Sequence, residues 1–193
     1  MALEILFAPY DVYWAPVGEA FPIIEVSPSG NWLVLGTSLA ERTNEDGVMV
    51  TLEQDFEEFR AAGTSAPIEA SRVSESLIVT LTLHDLRPNM LRLVLNNNTI
   101  SNTAAGAAAG FDEIDLERGP GKPTEMALLV RGASTQFATG NAQYQIPRCY
   151  VSSSPEIVHT KGEAAGIEIE FRALRDSATP FMGRLVSQDS APV

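Results

Sequence analysis

The sequence has few of the residues that bind metals or form disulfides. It contains one cysteine, Cys149, and two histidines, His84 and His159, among 193 residues. A single cysteine excludes an intramolecular disulfide, and so few thiols and imidazoles disfavour a zinc site. We therefore expect a fold that depends on burial and hydrogen bonds, with no metal and no cofactor.

Basic residues are scarce as well. Lysine and arginine together number 13, against 25 aspartates and glutamates, and the formal net charge is -12. Phosphate binding requires clustered lysine and arginine, so this balance argues against specific nucleic-acid binding. It is compatible with a protein that nucleic acid passes without being held, because like charges repel.

Long hydrophobic runs are also missing. No apolar run approaches the roughly 18 residues that span a bilayer, so we expect no membrane anchoring. Segment 1–14 has no basic region before its apolar residues and contains Glu4 and Asp11, which disfavours a secretory signal. Length and composition predict one globular domain over residues 1–193 that is assembled in a cytoplasm.

Segment 47–86 is the most informative part of the chain, because it predicts two long strands joined by a short turn. Successive side chains in a strand point to opposite faces. The first strand therefore has an acidic face with Glu53, Asp55 and Glu57, and an apolar face. The apolar row is Val48, Val50, Leu52 and Phe56 on the first strand and Val73, Leu77, Val79, Leu81 and Leu83 on the second; the polar row of the second strand is Arg72, Ser74, Ser76, Thr80 and Thr82.

Small residues form the turn of this hairpin, and Gly63 and Pro67 interrupt any regular structure there. Arms of about 12 residues exceed the usual five or six, so the hairpin requires a neighbouring sheet or another subunit to cover it. The hairpin tip consists of Ala61, Ala62, Gly63, Thr64, Ser65, Ala66 and Pro67.

The remaining patterns predict mainly strands. One short helix is predicted over 86–95, with Asp85 as N-cap and Pro88 in the first turn. The alanine- and glycine-rich segment 99–110 predicts an exposed loop or weak helix, and residues 176–193 predict an extended terminal arm. The predicted strands are 3–7 and 12–16, as one strand or a pair, and then 32–35, 125–130, 143–151, 156–160 and 166–174. Together these elements predict a mainly β fold, a β-sandwich or rolled barrel.

No group of residues indicates catalysis. Glu53, Asp55, Glu57 and Glu58 have the chemistry of a glycosidase acid–base pair, but alternating acids on a strand are usually a solvated face. Cys149 is typical of a small buried residue rather than a reactive thiol. Trp14 and Trp32 are better explained by packing than by a carbohydrate platform.

Seven segments, taken in order, carry a resemblance to a known family. They are APVGEAFP (15–22), PSGNWLVLG (28–36), EDGVMVTLEQDFEEFRAAGTSAP (45–67), SRVSESLIVTLTL (71–83), MALLVRG (126–132), QIPRCYVSSSPEIVHTKGEAAGIEIEFRAL (145–174) and PFMGRLV (180–186). Their order resembles the major tail tube protein of long-tailed, siphophage-like bacteriophages. Segment 99–117 departs from the compact pattern of that family as an inserted loop.

The resemblance implies a structural virion protein of the tail, assembled in the host cytoplasm. It implies hexameric rings that stack into a tube, through which DNA passes during ejection without specific binding. The implied partners are other copies of the chain and the tape measure, tail terminator and tail tip proteins. Residues 61–67 are expected to contact the next ring. If the acidic face looks inward, Glu53, Asp55 and Glu57 line the channel; the sequence leaves the outward assignment open.

Other functions fit parts of the sequence. A β-sandwich binding module, such as a virion decoration or carbohydrate-binding domain, would use the aromatic N-terminal region. A tube subunit of a contractile or secretion apparatus would require an outer surface that binds a sheath. A hydrolase that uses the acidic face is the third alternative.

Overall fold

The computed structural model describes residues 6–36, 43–63, 65–84, 86–106, 109–134, 140–154, 156–157, 159, 161 and 165–188. Within these ranges, most of the regular structure is antiparallel strand, which confirms the mainly β fold. The strands are β1 Leu6–Pro16, β2 Leu33–Val34, β3 Thr43–Phe59, β4 Glu69–Leu83, β5 Ile100–Thr103, β6 Phe111–Ile114, β7 Glu125–Ser134, β8 Asn141–Val151, β9 Ile167–Ala173 and β10 Arg184–Ser187.

Eight strands form one sheet, and β5 and β6 form a separate hairpin. The order in the large sheet is β2-β1-β7-β8-β9-β4-β3, with β10 paired to β8. Although β1 and β3 stand near opposite ends of this order, they lie against each other. The sheet therefore rolls, as the strand twist favours, and encloses one main core.

Alternation within the strands builds this core. In β9, Ile167, Ile169 and Phe171 are buried, whereas Glu168 between them is exposed. Leu77 and Val79 of β4 reach the same cluster from the neighbouring strand. Each buried aliphatic or aromatic side chain contributes about 1.5–3 kcal/mol relative to exposure, which makes this cluster the main source of stability.

One edge of β8 is shared by two strands. Residues Ala142 to Gln145 pair with β10, and residues Cys149 to Val151 pair with β9. The buried Pro147 lies between the two paired stretches. Proline has no N–H to donate to a ladder, so its position matches the point where one partner strand ends and the next begins.

The sequence predicts an extended arm over 176–193, and the described part of this segment differs from it, while residues 189–193 lie outside the described residues. Residues 184–187 form β10, which pairs with β8 from Arg184 opposite Gln145 to Ser187 opposite Ala142. The N–H of Gln188 also donates to the carbonyl of Asn141 at 3.0 Å. Backbone pairing with an available edge of β8 outweighs the polar composition from which an arm was predicted.

The predicted strand over 156–160 is wrong where the structure describes it, because 156, 157 and 159 lie outside any strand. The predicted segments 3–7 and 12–16 form one strand where the structure describes them. Residues 6–7 and 12–16 belong to β1, whose pairing with β7 shifts register between Phe7 and Asp11, and residues 3–5 lie outside the described residues.

The helix is confirmed as α1, Pro88–Val94. Its N-cap is Arg87 rather than the expected Asp85. Asp85 itself lies outside the described residues. Pro88 occupies the first turn, as predicted. Asn96 and Asn97 follow with positive φ angles of 62° and 63°, a conformation that ends the helix. In the part of the chain that the structure describes, no helix is long and apolar enough to cross a membrane.

Segment 99–110 was predicted as a loop or weak helix, and this is wrong at its start. β5 runs from Ile100 to Thr103 and pairs in antiparallel register with β6. The side-chain amide of Asn102 donates to Oδ1 of Asp112 at 2.6 Å across this pair. This cross-strand pair adds to the backbone hydrogen bonds of the β5–β6 ladder.

Two features that the sequence assigned to packing are confirmed. Cys149 is fully buried, its thiol donates to the carbonyl of Met126, and burial raises the pKa of that thiol. Trp32 is 6% exposed, packs against Phe21 at 5.3 Å between ring centroids, and donates its indole N–H to the carbonyl of Ala20. Trp14 packs against the main core.

A bidentate ion pair joins β7 to β8. The Nε and Nη2 atoms of Arg148 donate to the two carboxylate oxygens of Glu125 at 2.7 and 2.8 Å. These hydrogen bonds hold the pKa of Glu125 below its usual value. The contribution of the pair to stability is therefore complete above the ordinary carboxyl pKa and is lost as the pH falls through the lowered one.

Phe171 tests the central position of β9 in the core. Phe171→Ala removes a fully buried ring and should lower the free energy of unfolding by about 3–5 kcal/mol, measured by urea denaturation. Phe111→Ala, at a ring that is 56% exposed, is the matched control and should change it by less than about 1 kcal/mol. Equal losses for the two variants would contradict this account of the core.

Candidate assembly surface

The hairpin of β3 and β4 extends beyond the rest of the sheet. The two strands contain 17 and 15 residues and pair as far as Phe59 opposite Glu69. On its other edge β4 pairs with β9 only from Ile78 to Leu83. The predicted long hairpin is therefore confirmed, and its outer part, residues 52–76, has no third strand beside it among the described residues. We call this part the distal hairpin.

Burial changes sharply along the hairpin. Val79 is fully buried and Leu77 is 7% exposed, because both point into the main core. Leu52, directly opposite Leu77, is already 68% exposed, and farther out Phe56 is 58% exposed and Val73 is 65% exposed. The apolar row thus begins as core and continues as an uncovered surface, which in proteins usually marks an interaction site.

A β-bulge lies halfway along the distal hairpin. The register shifts between Asp55, which faces Ser74, and Phe56, which faces Arg72, so that Val73 is the extra residue. The Arg72 guanidinium lies 6.0 Å from the centre of the Phe56 ring. The sequence prediction placed Arg72 in the polar row with Ser74; this is wrong, because an inserted residue reverses the faces beyond it.

The acidic face lies on the side of the hairpin away from the core. Glu53, Asp55 and Glu57 are all exposed and alternate with the apolar row, as predicted. Ser76 Oγ donates to Glu53 Oε2 at 3.2 Å, and Ser74 Oγ donates to Asp55 Oδ2 at 2.5 Å. These serines fix the carboxylates as hydrogen-bond acceptors in a regular row.

The same face continues onto β9 with two acids that the sequence analysis did not connect to it. Glu170 faces Thr80 and Glu168 faces Thr82 across the β4–β9 pair. Directly opposed residues of an antiparallel pair point to the same side of a sheet. The alternation in β9 indicated an acidic side for that strand, but only the pairing of β9 with β4 places it beside the acidic face of the hairpin.

The hairpin tip is open to solvent. The N–H of Ile68 donates to the carbonyl of Phe59 at 2.8 Å and closes the last rung before the tip. The described residues of 61–67 are exposed except Ala61, which is half-buried; Thr64 lies outside the described residues. A Cβ built on Gly63 would meet nothing within 4 Å. The tip therefore contributes little to the fold of its own chain.

Comparison with known proteins identifies the family. The model of the phage tail tube protein family matches residues 8–193, nearly the whole chain. The chain belongs to the phage tail tube protein family. Comparison with curated proteins gives no match.

Membership decides the general class of function. A tail tube protein is a structural component of the phage virion, not an enzyme, and it assembles with itself and with other tail components. The alternative of a hydrolase is therefore wrong for the acidic face. The carbohydrate platform is not formed either, because Trp32 is buried and Trp14 packs against the core of this tail tube protein.

Proposed function

We propose that copies of this tail tube protein assemble into hexameric rings, that the rings stack into a hollow tube, and that DNA passes through the channel during ejection. The observation that carries the proposal is the distal hairpin, which projects from the sheet with an uncovered apolar row and unpaired strand edges. A monomer would leave these edges open to non-specific association.

The two edges of the hairpin complement each other. β3 is the last strand of the sheet order, so its outer edge has no strand partner within the described ranges, and β4 has none on its other edge from Glu69 to Leu77. Since β3 and β4 are antiparallel, β3 of one copy placed beside β4 of the next continues the same alternation. A closed ring built in this way leaves no free edge.

The position of the core supports an inward assignment for the acidic face. In a tube wall made of strands, one side of the wall bears the subunit cores and the other side faces the channel. Val79 and Leu77 point into the core, so the opposite side, with Glu53, Asp55 and Glu57, faces the channel in our proposal. Glu168 and Glu170 extend this lining from β9.

An acidic lining suits passage rather than binding. Two unit charges 10 Å apart in water interact by only about 0.4 kcal/mol before salt screening, so no single carboxylate controls the DNA. Repeated in every copy, the carboxylates repel phosphates from all sides of the wall. DNA then moves through the channel without specific contacts.

The hairpin tip, 61–67, is the proposed contact between stacked rings. It is the part of the hairpin farthest from the core, and its small residues fit a contact that forms on assembly. By family resemblance, the tape measure, tail terminator and tail tip proteins are the other partners of the tube.

Electron microscopy tests the ring. We expect negative-stain class averages of the protein, mixed with its cognate tail tip proteins, to show six-fold rings and tubes with a central hole. The tail tip proteins serve as initiator, because unpaired edges require a template to close into a ring. A monomer in analytical ultracentrifugation at high concentration, with the initiator present, would contradict the proposal.

Removal of two carboxylates tests the channel assignment. The double variant Glu53→Gln and Glu57→Gln should still form tubes, since neither side chain packs in the core, but should retain more DNA in a tube pull-down at low salt. Glu25→Gln with Glu156→Gln removes the same charge at exposed positions outside the hairpin and serves as the control. The same DNA retention in both variants would contradict the assignment of the acidic face to the channel.

Replacement of the tip tests the stacking assignment. A chain in which a two-residue Asn-Gly turn replaces 61–67 should unfold within about 1 kcal/mol of the natural chain, because the tip is exposed. Its tubes, measured by electron microscopy, should be much shorter or reduced to single rings. Tubes of normal length from a stable variant would exclude the tip as the contact between rings.

A further inference from the structure

A groove lies where the distal hairpin leaves the sheet. Its volume is about 410 Å³, and it is bounded on one side by the hairpin and on the other by the segment that leads into β10. It begins at the point where β9 stops pairing with β4, just outside Ile78. The lining residues are Leu52, Glu75, Leu77, Arg175, Pro180, Phe181, Met182 and Gly183.

The groove is built by close packing rather than by a gap in the fold. A Cβ added at Gly183 would overlap with Cδ2 of Leu77, so the segment before β10 is held directly against the root of the hairpin. Leu77 is in the main core, whereas Leu52 on the lip is 68% exposed. The groove is therefore continuous with the uncovered apolar row of the distal hairpin.

Its charge is unusual for this acidic chain. The guanidinium of Arg184 lies 4.8 Å from the centre of the Phe181 ring and donates through Nε to Gln145 at 2.7 Å. Arg175 has no ion-pair partner among the described residues. Glu75, on the other wall, forms an ion pair with Arg72 of the same strand, with 3.6 Å between Oε2 of Glu75 and Nη1 of Arg72. The groove thus joins an apolar floor to Arg175 in its lining, and Arg184 adjoins it through the ring of Phe181.

A complementary segment stands elsewhere on the same chain. Residues 111–117 read FDEIDLE, and Leu116 is 77% exposed. The side-chain amide of Asn98 donates to the backbone carbonyls of Asp115, at 2.9 Å, and of Glu117, which holds Leu116 outward between two acids. No cation pairs with Asp115 or Glu117 in the described part of the chain, and the segment does not line the groove of its own chain.

We propose that the groove of one copy binds Leu116 of a second copy, with Asp115 and Glu117 of that copy beside Arg175 and Arg184. Apolar contact and charge complementarity both favour this occupant, and each charged group gains the partner that it lacks within one chain. The inference rests on the proposed function, because the tube supplies the second copy. It places the inserted segment 99–117 between copies rather than on the outer surface.

Disulfide cross-linking tests the contact. One preparation carries Leu116→Cys and the other carries Met182→Cys; the natural Cys149 is buried and does not compete. After the two are mixed and assembled with the initiator, mild oxidation should give a cross-linked dimer on a non-reducing gel. Val26→Cys, at a side chain 55% exposed, replaces Leu116→Cys as the control and should give no dimer.

Charge reversal supplies a second measurement that does not depend on a new cysteine. Arg175→Glu should raise the concentration required for assembly about tenfold, a change that corresponds to about 1.4 kcal/mol. Combining it with Asp115→Lys in the same chain should restore most of the lost assembly, because the charges on the two sides of each contact are then exchanged and are again opposite. The single variant Asp115→Lys should be as defective as Arg175→Glu.

The outcomes separate this inference from the function that it rests on. Cross-linking in assembled tubes together with rescue by the double reversal would support the groove contact. Tubes that form without the cross-link, and are indifferent to both reversals, would overturn it while leaving the stacked-ring proposal in place. If the natural chain builds no tubes with its initiator, the proposed function fails and the groove contact fails with it.

Discussion

The structure depends on the antiparallel pairing of β3 with β4, which runs from the core into solvent with two shifts of register, between Thr43 and Val48 and between Asp55 and Phe56. At the inner end, this pairing is supported by β9 and by buried side chains such as Val79. At the outer end, it is held by the backbone hydrogen bonds between the two strands and by exposed side-chain contacts such as that of Ser74 with Asp55. Two-stranded ribbons are marginal by themselves, so the outer end gains most from a neighbouring copy.

The other surfaces follow from this division. The acidic face and the apolar row are the two sides of the same ribbon, and the core fixes which side is which. The groove exists because β9 ends before β4 does, and because the segment before β10 packs against Leu77 at that point. Membership of the phage tail tube family explains why a chain would retain so much uncovered apolar and acidic surface.

Local patterns predicted the elements well where a strand alternates clearly. The acidic face of β3 and the two sides of β9 could be read from every second residue, and α1 from Pro88 and its leucines. Pairing could not be read in this way, because it depends on which edges meet. The bulge at Val73, the pairing of β10 with β8 and the β5–β6 hairpin all depend on which partner strand each residue meets, whether that strand is distant or, as for β5 and β6, near in sequence.

The buried position of Cys149 has a consequence for the particle as a whole. A virion meets oxidising surroundings once it leaves the cell, and an accessible thiol in every copy would allow random covalent links between neighbours. Here the sulfur is enclosed by the core and occupied by the Met126 carbonyl. While a copy stays folded, this thiol therefore cannot form a disulfide with a neighbouring copy.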